Sequence, residues 1–230
     1  LLDLDDGSTV AANALIIASG VSYRTLDVPG AEDLRDAGVF YGASMHEARS
    51  YQGEHVAIVG AANSAGQAAL HFARYASQVT MLVRGDSLSA RMSDYLVKQI
   101  ERTPEIVVRY RTQVAAVHGN RRLECVDVVT DDARMDTLVV TGLFVFIGAR
   151  PHTEWLDGTV ARDSLGFLLS GSDLVRGRTW KEERSPFALE TSLPGVFAAG
   201  DVRAQSVKRV ASAVGDGALA VHYVHQYLGL

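Results

Sequence analysis

Apolar residues recur along this chain in two periods, and the switch between them marks its most informative segment. The run Val56-Ala57-Ile58-Val59 is continuous, as in a strand buried on both faces, and it enters a turn of small residues, Gly60-Ala61-Ala62-Asn63-Ser64-Ala65. From there Ala65, Ala68, Ala69, Phe72, Ala73 and Ala76 fall on one stripe of a helix over residues 64–76. A second apolar run at residues 79–83 completes a β-α-β unit. Upstream, a turn at residues 5–8 precedes a buried strand at residues 14–20, and a polar linker is expected at residues 26–38, broken by Pro29-Gly30. Downstream, Ser93 is expected to cap a helix that runs to Glu101 and stops at Thr103-Pro104. Four short strands, 106–110, 113–118, 123–130 and 137–140, then predict an antiparallel meander packed on a parallel sheet, and residues 143–148 close the unit. Residues 158–192 lack periodicity and read as loops. A strand at residues 194–201 ends in small residues and an acid, and a last helix runs from about Ser206 to Leu228 with Val214, Ala218, Val221 and Leu228 on its shared face.

Composition narrows the function classes. With 47% hydrophobic and 21% charged residues in 230, the chain can bury a proper core. Its longest apolar runs are strand-length, well short of the ~18 residues that a membrane span needs, so no membrane partner is expected. A net charge of −5 argues against nucleic acid as a partner and leaves the local pair Lys208-Arg209 needing another explanation. Cys125 is the one cysteine, so no disulfide forms within the chain. Alternation along the strand places it beside Leu123 as a small buried hydrophobe, and a free thiol suits a reducing, cytoplasmic location. His222 and His225 lack a third ligand at metal spacing, so no metal is expected. The chain opens at Leu1-Leu2-Asp3-Leu4 without a basic leader, and it is expected to be a truncated part of a longer protein.

The turn after residue 59 has the chemistry of a dinucleotide phosphate site. Small residues let the backbone approach a pyrophosphate, and the free N–H groups and positive dipole end of the new helix meet its charge. The fingerprint G-x-G-x-x-G/A reads Gly60, Ala62, Ala65, with Asn63 and Ser64 between. An alanine at the middle position is expected to resist positive φ and to weaken or displace the phosphate contact. The end of the next strand reaches the adenosine ribose. There Arg84 stands where a 2′-phosphate clamp belongs and Arg91 could assist, which favours NADP(H). Asp86 is the alternative, an acceptor for an unphosphorylated ribose.

Taken in order, Ala18-Ser19-Gly20, Val28-Pro29-Gly30, the turn at residues 60–65, Leu143-Phe144-Val145-Phe146-Ile147-Gly148 and the block Thr191-Ser192-Leu193-Pro194-Gly195-Val196-Phe197-Ala198-Ala199-Gly200-Asp201 resemble the FAD-dependent pyridine nucleotide-disulfide oxidoreductases, in particular the low-molecular-weight thioredoxin reductase group. The resemblance covers nearly the whole chain. It implies an α/β fold in which a Rossmann-like NAD(P)H-binding domain, residues 29–148, is inserted in a partial FAD-binding domain made of residues 1–28 and 149–230. It further implies FAD and NADP(H) as cofactors and a homodimer. Ser19, Gly20, Gly148 and Gly200 would line the flavin, Asp201 would hold its ribitol, and Lys208, Arg209 and Val210 would lie by its pyrimidine edge. Physics agrees with the last assignment, because reduced flavin gathers negative charge there and a helix N-terminus with adjacent cations stabilises it.

Two departures change the expected chemistry. The segment matching the family's redox-active C-x-x-C is Gly42-Ala43-Ser44-Met45, without either cysteine, and thiol–disulfide exchange needs two sulfurs. His46 stands where the family keeps an acid and is the candidate for moving a proton there. Nor does a G-x-G-x-x-G unit for the ADP half of FAD precede residue 20, since a β-α-β unit takes ~30 residues. The expected activity is therefore transfer of hydride from NADPH to FAD and onward to a non-disulfide acceptor: a small redox protein, a quinone or oxygen. The alternative is a non-catalytic nucleotide-binding or regulatory module.

Overall fold

The computed structural model describes residues 1–42 and 47–230. In chain order the strands and helices are β1 (Leu2–Asp3), β2 (Thr9–Val10), β3 (Leu15–Ile17), β4 (Val21–Tyr23), β5 (Val39–Tyr41), β6 (His55–Val59), α1 (Asn63–Phe72), β7 (Gln78–Leu82), α2 (Asp94–Glu101), β8 (Ile106–Arg109), β9 (Thr112–Gly119), β10 (Leu123–Thr130), β11 (Met135–Val139), β12 (Gly142–Val145), β13 (Ala149–Pro151), α3 (Ser172–Arg176), β14 (Val196–Ala198) and α4 (Val210–Leu228). They divide into two compact units, one made of Leu1–Ser22 with Ala149–Leu230 and a second made of Tyr23–Gly148. Among the described residues no helix is long and apolar enough to cross a membrane.

The second unit is built on a five-stranded parallel sheet in the order β5-β12-β6-β7-β8. Its register sets Ile58 between Phe144 and Met81, which explains the continuous apolar runs, since both faces of these strands are covered. On one face α1 and α2 supply Ala65, Ala69, Phe72, Leu96 and Ile100 to a core with Ile58, Met81 and Phe144. On the other, the antiparallel meander β11-β10-β9 brings Val114, Val126 and Val128 against Ala57, Leu82 and Leu143.

Several local expectations are corrected by tertiary packing. The first of the four short strands, β8, pairs in parallel with β7 and belongs to the main sheet, not to the meander. Residues 26–38 are not a linker: they fold into turns that bury Ala31 and Leu34 in the core shared with the meander. Helix α1 stops at Phe72, and the apolar stripe continues through a turn that still buries Ala76. Ser93 does stand at the N-cap of α2, yet its hydroxyl makes no cap bond. Cys125 leaves the buried face because β10 carries a bulge between Leu123 and Cys125. The extra residue shifts the alternation, so Val126 is buried and Cys125 is only half-buried, across from His118.

In the first unit β3 and β14 form a parallel ladder with Ile16 opposite Phe197. Ile17, Leu156, Val160, Leu168, Ala198 and Val202 form one core cluster, and Leu189, Phe197, Ala199 and Ala220 form another against Tyr223, Val224 and Tyr227. The face of α4 that is buried is therefore the one through Ala220, Tyr223 and Tyr227, whereas Val214 and Val221, read from sequence as the shared buried face, are 67% and 49% exposed. The sequence pattern misleads here because the stripe that packs is carried by tyrosines, whose rings meet Phe187 and Phe197. The expected turn at residues 5–8 joins β1 to β2, with Gly7 at a φ of +81°.

Candidate functional site

In the second unit β6 delivers the chain to Gly60, whose φ is +142° and whose added Cβ would stand 2.6 Å from the carbonyl oxygen of Phe146. Only glycine fits that corner. Ala62 is different: as N-cap of α1 it has a φ of −95° and a ψ of 175°, ordinary extended backbone, so its methyl group carries none of the strain expected from sequence. The helix begins with no acidic side chain in its first turn and no side-chain cap, which leaves its leading N–H groups and positive end unneutralised. Asn63 accepts a hydrogen bond from the N–H of Ser93 at 2.8 Å and so ties the start of α2 to the start of α1. Ser64 is exposed beside it, and Ala65 is buried against the sheet.

Next to this turn β7 ends, and the N–H of Gly60 bonds to the carbonyl of Leu82 at 3.2 Å. Arg84 follows directly and is exposed, as are Asp86 and Arg91, and neither arginine has a salt bridge among the described residues. The carboxyl ends of parallel strands thus meet a bare helix N-terminus with free cations, which is the arrangement that binds a dinucleotide's phosphates.

In the first unit the chemistry gathers around the end of β14. Gly200, with a φ of +75°, donates its N–H to Asp216 of α4 at 3.1 Å, and the same carboxylate oxygen takes Arg203 at 3.0 Å. Asp201 is half-buried, and among the described residues no hydrogen bond or salt bridge takes up its carboxylate. Lys208, at a φ of +51°, lies with its ammonium 4.2 Å from the ring centre of Phe167 and bonds to Ser206 Oγ and the carbonyl of Arg203. Burial holds its pKa below the ordinary lysine value, while the charge of Asp201 acts in the opposite sense. Arg209 is the N-cap of α4, and Val210 follows it exposed. After β3, Ser19 donates its hydroxyl to the carbonyl of His152 at 2.8 Å, and Gly20 turns with a φ of +68°. Gly148, at a φ of +100°, closes the second unit with open space where a side chain would be.

A family profile described as pyridine nucleotide-disulphide oxidoreductase matches residues 2–217. The chain belongs to the pyridine nucleotide-disulphide oxidoreductase family. Its members are flavoprotein oxidoreductases that use FAD and a pyridine nucleotide. The chain is 31% identical over 220 residues to a thioredoxin reductase from Treponema pallidum, covering 94% of this chain and 65% of that protein. It is 28% identical over 228 residues to an NADH dehydrogenase from Bacillus subtilis, covering 99% of this chain and 41% of that protein. Among solved structures, thioredoxin reductase from Giardia duodenalis superposes with a TM-score of 0.82 at 26% identity, over 98% of this chain and 69% of that one. The chain thus spans less than two thirds of these curated relatives' lengths.

Set against that family, the residues singled out by sequence fall into two groups. Gly60, Ala62, Asn63, Ser64, Ala65, Arg84 and Arg91 stand in the second unit; Ser19, Gly20, Gly200, Asp201, Lys208, Arg209 and Val210 stand in the first. His46, and Ala43, Ser44 and Met45 of the segment that replaces the C-x-x-C, lie outside the described residues. Sequence reading missed Glu190 and Asp216. Both are acids within small or apolar stretches whose partners, Arg184 and Arg203, become visible only in the fold.

Proposed function

We propose that this protein is a flavoprotein oxidoreductase that takes hydride from NADPH onto FAD and passes the electrons to an acceptor other than a disulfide. The observation that carries the reading is the corner at Gly60: glycine enforced by the Phe146 carbonyl, a bare helix N-terminus and, just past the end of β7, an exposed Arg84 with no salt bridge among the described residues. Residues 29–148 would form the NADPH domain, with the N–H groups at the start of α1 on the pyrophosphate and Arg84 and Arg91 on the 2′-phosphate.

Residues of the first unit fit FAD by the character of their donors and acceptors. Asp201 offers a polyol hydroxyl a carboxylate that no hydrogen bond or salt bridge takes up among the described residues, and Lys208 with the N-terminus of α4 supplies positive charge for the pyrimidine edge. When bound, FAD supplies a carrier able to take up a hydride and give up electrons. Cys125 is the chain's one cysteine, so these residues hold no dithiol to carry those electrons. The relative named NADH dehydrogenase extends the likeness beyond disulfide reductases.

The test is an anaerobic visible titration of the chain with FAD and then NADPH. A bound-flavin band that bleaches on NADPH is the expected result; flavin that binds yet stays oxidised would overturn the reading in favour of a non-catalytic module. Cys125→Ser is expected to leave NADPH-driven reduction of an artificial acceptor unchanged, and a rate reduced tenfold or more would restore a thiol to the mechanism. Asp201→Ala is expected to weaken FAD binding by roughly 10- to 100-fold, since a hydrogen bond to a charged group contributes about 1.5–3 kcal/mol. Fluorescence quenching of added FAD measures this, and unchanged affinity would remove Asp201 from the site.

A further inference from the structure

We propose that Arg111 is a specificity-determining residue of the dinucleotide site, a third guanidinium for the 2′-phosphate of NADPH; this rests on reading the second unit as an NADPH domain. Sequence order hides the residue, because 27 positions separate it from Arg84. The fold brings them together. Strand β8 pairs in parallel with β7, setting Arg109 opposite Leu82, so the two chains end side by side at the same edge of the sheet. There the N–H of Arg111 donates to the carbonyl of Gly85 at 2.9 Å, and the N–H of Thr112 donates to the carbonyl of Val83 at 3.0 Å. Arg111 is therefore bonded directly across the turn that carries Arg84.

Its conformation and its surroundings do not explain why an arginine stands there. The φ of Arg111 is +49°, a left-handed geometry that glycine or asparagine adopts more readily. The side chain is exposed, and no salt bridge or hydrogen bond engages it among the described residues. Arg109, two residues earlier, shows the contrast: Asp136 neutralises it at 2.7 Å. Asp131 touches Arg111 only through its backbone, its N–H donating to the carbonyl of Arg111 at 3.1 Å. Asp86 is the acid on the facing turn, and it too is exposed without a salt bridge to Arg111. A strained position held by a cation that has no salt bridge among the described residues, across a backbone bond from the turn carrying the equally unpaired Arg84, is suited to a dianion. A phosphate monoester offers several oxygens to guanidinium forks, and forks from two different strands fix it better than one.

The experiment is calorimetric binding of adenosine 2′,5′-bisphosphate and of 5′-AMP to the full chain and to Arg111→Asn, Arg111→Lys and Arg84→Ala, at one fixed ionic strength. Asparagine suits the left-handed backbone, so Arg111→Asn is expected to fold normally. The wild-type chain is expected to prefer the bisphosphate, and Arg111→Asn to bind it roughly tenfold more weakly with 5′-AMP unchanged, lysine restoring part of the loss. Equal bisphosphate affinity in Arg111→Asn, or an equal loss for both probes, would overturn the role of Arg111 and leave the NADPH reading intact. A wild-type chain without preference between the probes would overturn the NADPH reading itself, and this proposal with it.

Discussion

Replacing Glu190 with alanine is expected to destabilise the first unit by about 3 kcal/mol, the low end of what breaking a buried ion pair costs. Glu190 is fully buried, and its two oxygens take Arg184 at 2.6 and 2.7 Å, the N–H of Gly195 at 2.9 Å and the N–H of Phe187 at 3.0 Å. Arg184 is itself stacked by Trp180, Phe187 and Tyr227, so one carboxylate holds the turn before β14 to the aromatic face of α4. Alanine leaves two backbone donors and a guanidinium without their acceptor. Arg184 remains 39% exposed and recovers some hydration, which is why the lower figure applies.

The pH dependence has a definite sign. Burial pushes the Glu190 carboxyl up, but the Arg184 hydrogen bonds and the N–H groups of Gly195 and Phe187 outweigh it and hold the folded value below the ordinary one. A lowered folded pKa contributes stability above the unfolded value of about 4.3, and that contribution is lost as pH falls from there through the folded value. Urea melts at pH 7 and in the acid range should show the wild-type chain losing more stability to acid than Glu190→Gln. Equal acid sensitivity of the two proteins would remove the carboxylate from this role.

What could be read beforehand follows from how local each signal was. The Gly60 turn was legible because a buried parallel strand, a tight corner and an amphipathic helix each leave a sequence mark within a few residues. The bulge that turns Cys125 off the buried face was not, because it depends on how Gly119 and Leu123 pair across a turn. Residues 26–38 looked like a linker from their glycine, proline and acids, yet Ala31 and Leu34 pack between the sheet and the meander. On α4, small and β-branched residues drew attention to the face that solvent covers, while Ala220, Tyr223 and Tyr227 do the packing. Arg84 and Arg91 are candidates in the sequence because they follow the apolar run at residues 79–83. Arg111 needed the register of β7 with β8, which no single segment encodes.

Gly60→Ala is expected to abolish NADPH binding, by about 100-fold or more, while FAD binding by the first unit is unchanged. Two separate costs fall on that substitution. The φ of +142° is one that an L side chain rarely adopts, and the new methyl carbon would stand 2.6 Å from a backbone oxygen that β12 and its continuation hold in place. A forbidden backbone geometry alone costs on the order of 1–3 kcal/mol. Relieving the clash means moving either Phe146 or the entry to α1, and the second movement displaces the N–H groups that meet the pyrophosphate. Ala62→Gly is the matching control. Ala62 is extended at a φ of −95°, so glycine there removes no strain and is expected to change NADPH affinity by no more than about threefold, and because glycine is a better N-cap residue than alanine it is expected to leave stability little changed. Calorimetric titration of both variants with NADPH, alongside FAD quenching, separates the effects. If Gly60→Ala bound NADPH as the wild-type chain does, the corner at Gly60 would be a packing feature and the phosphate site would have to be sought elsewhere in the second unit.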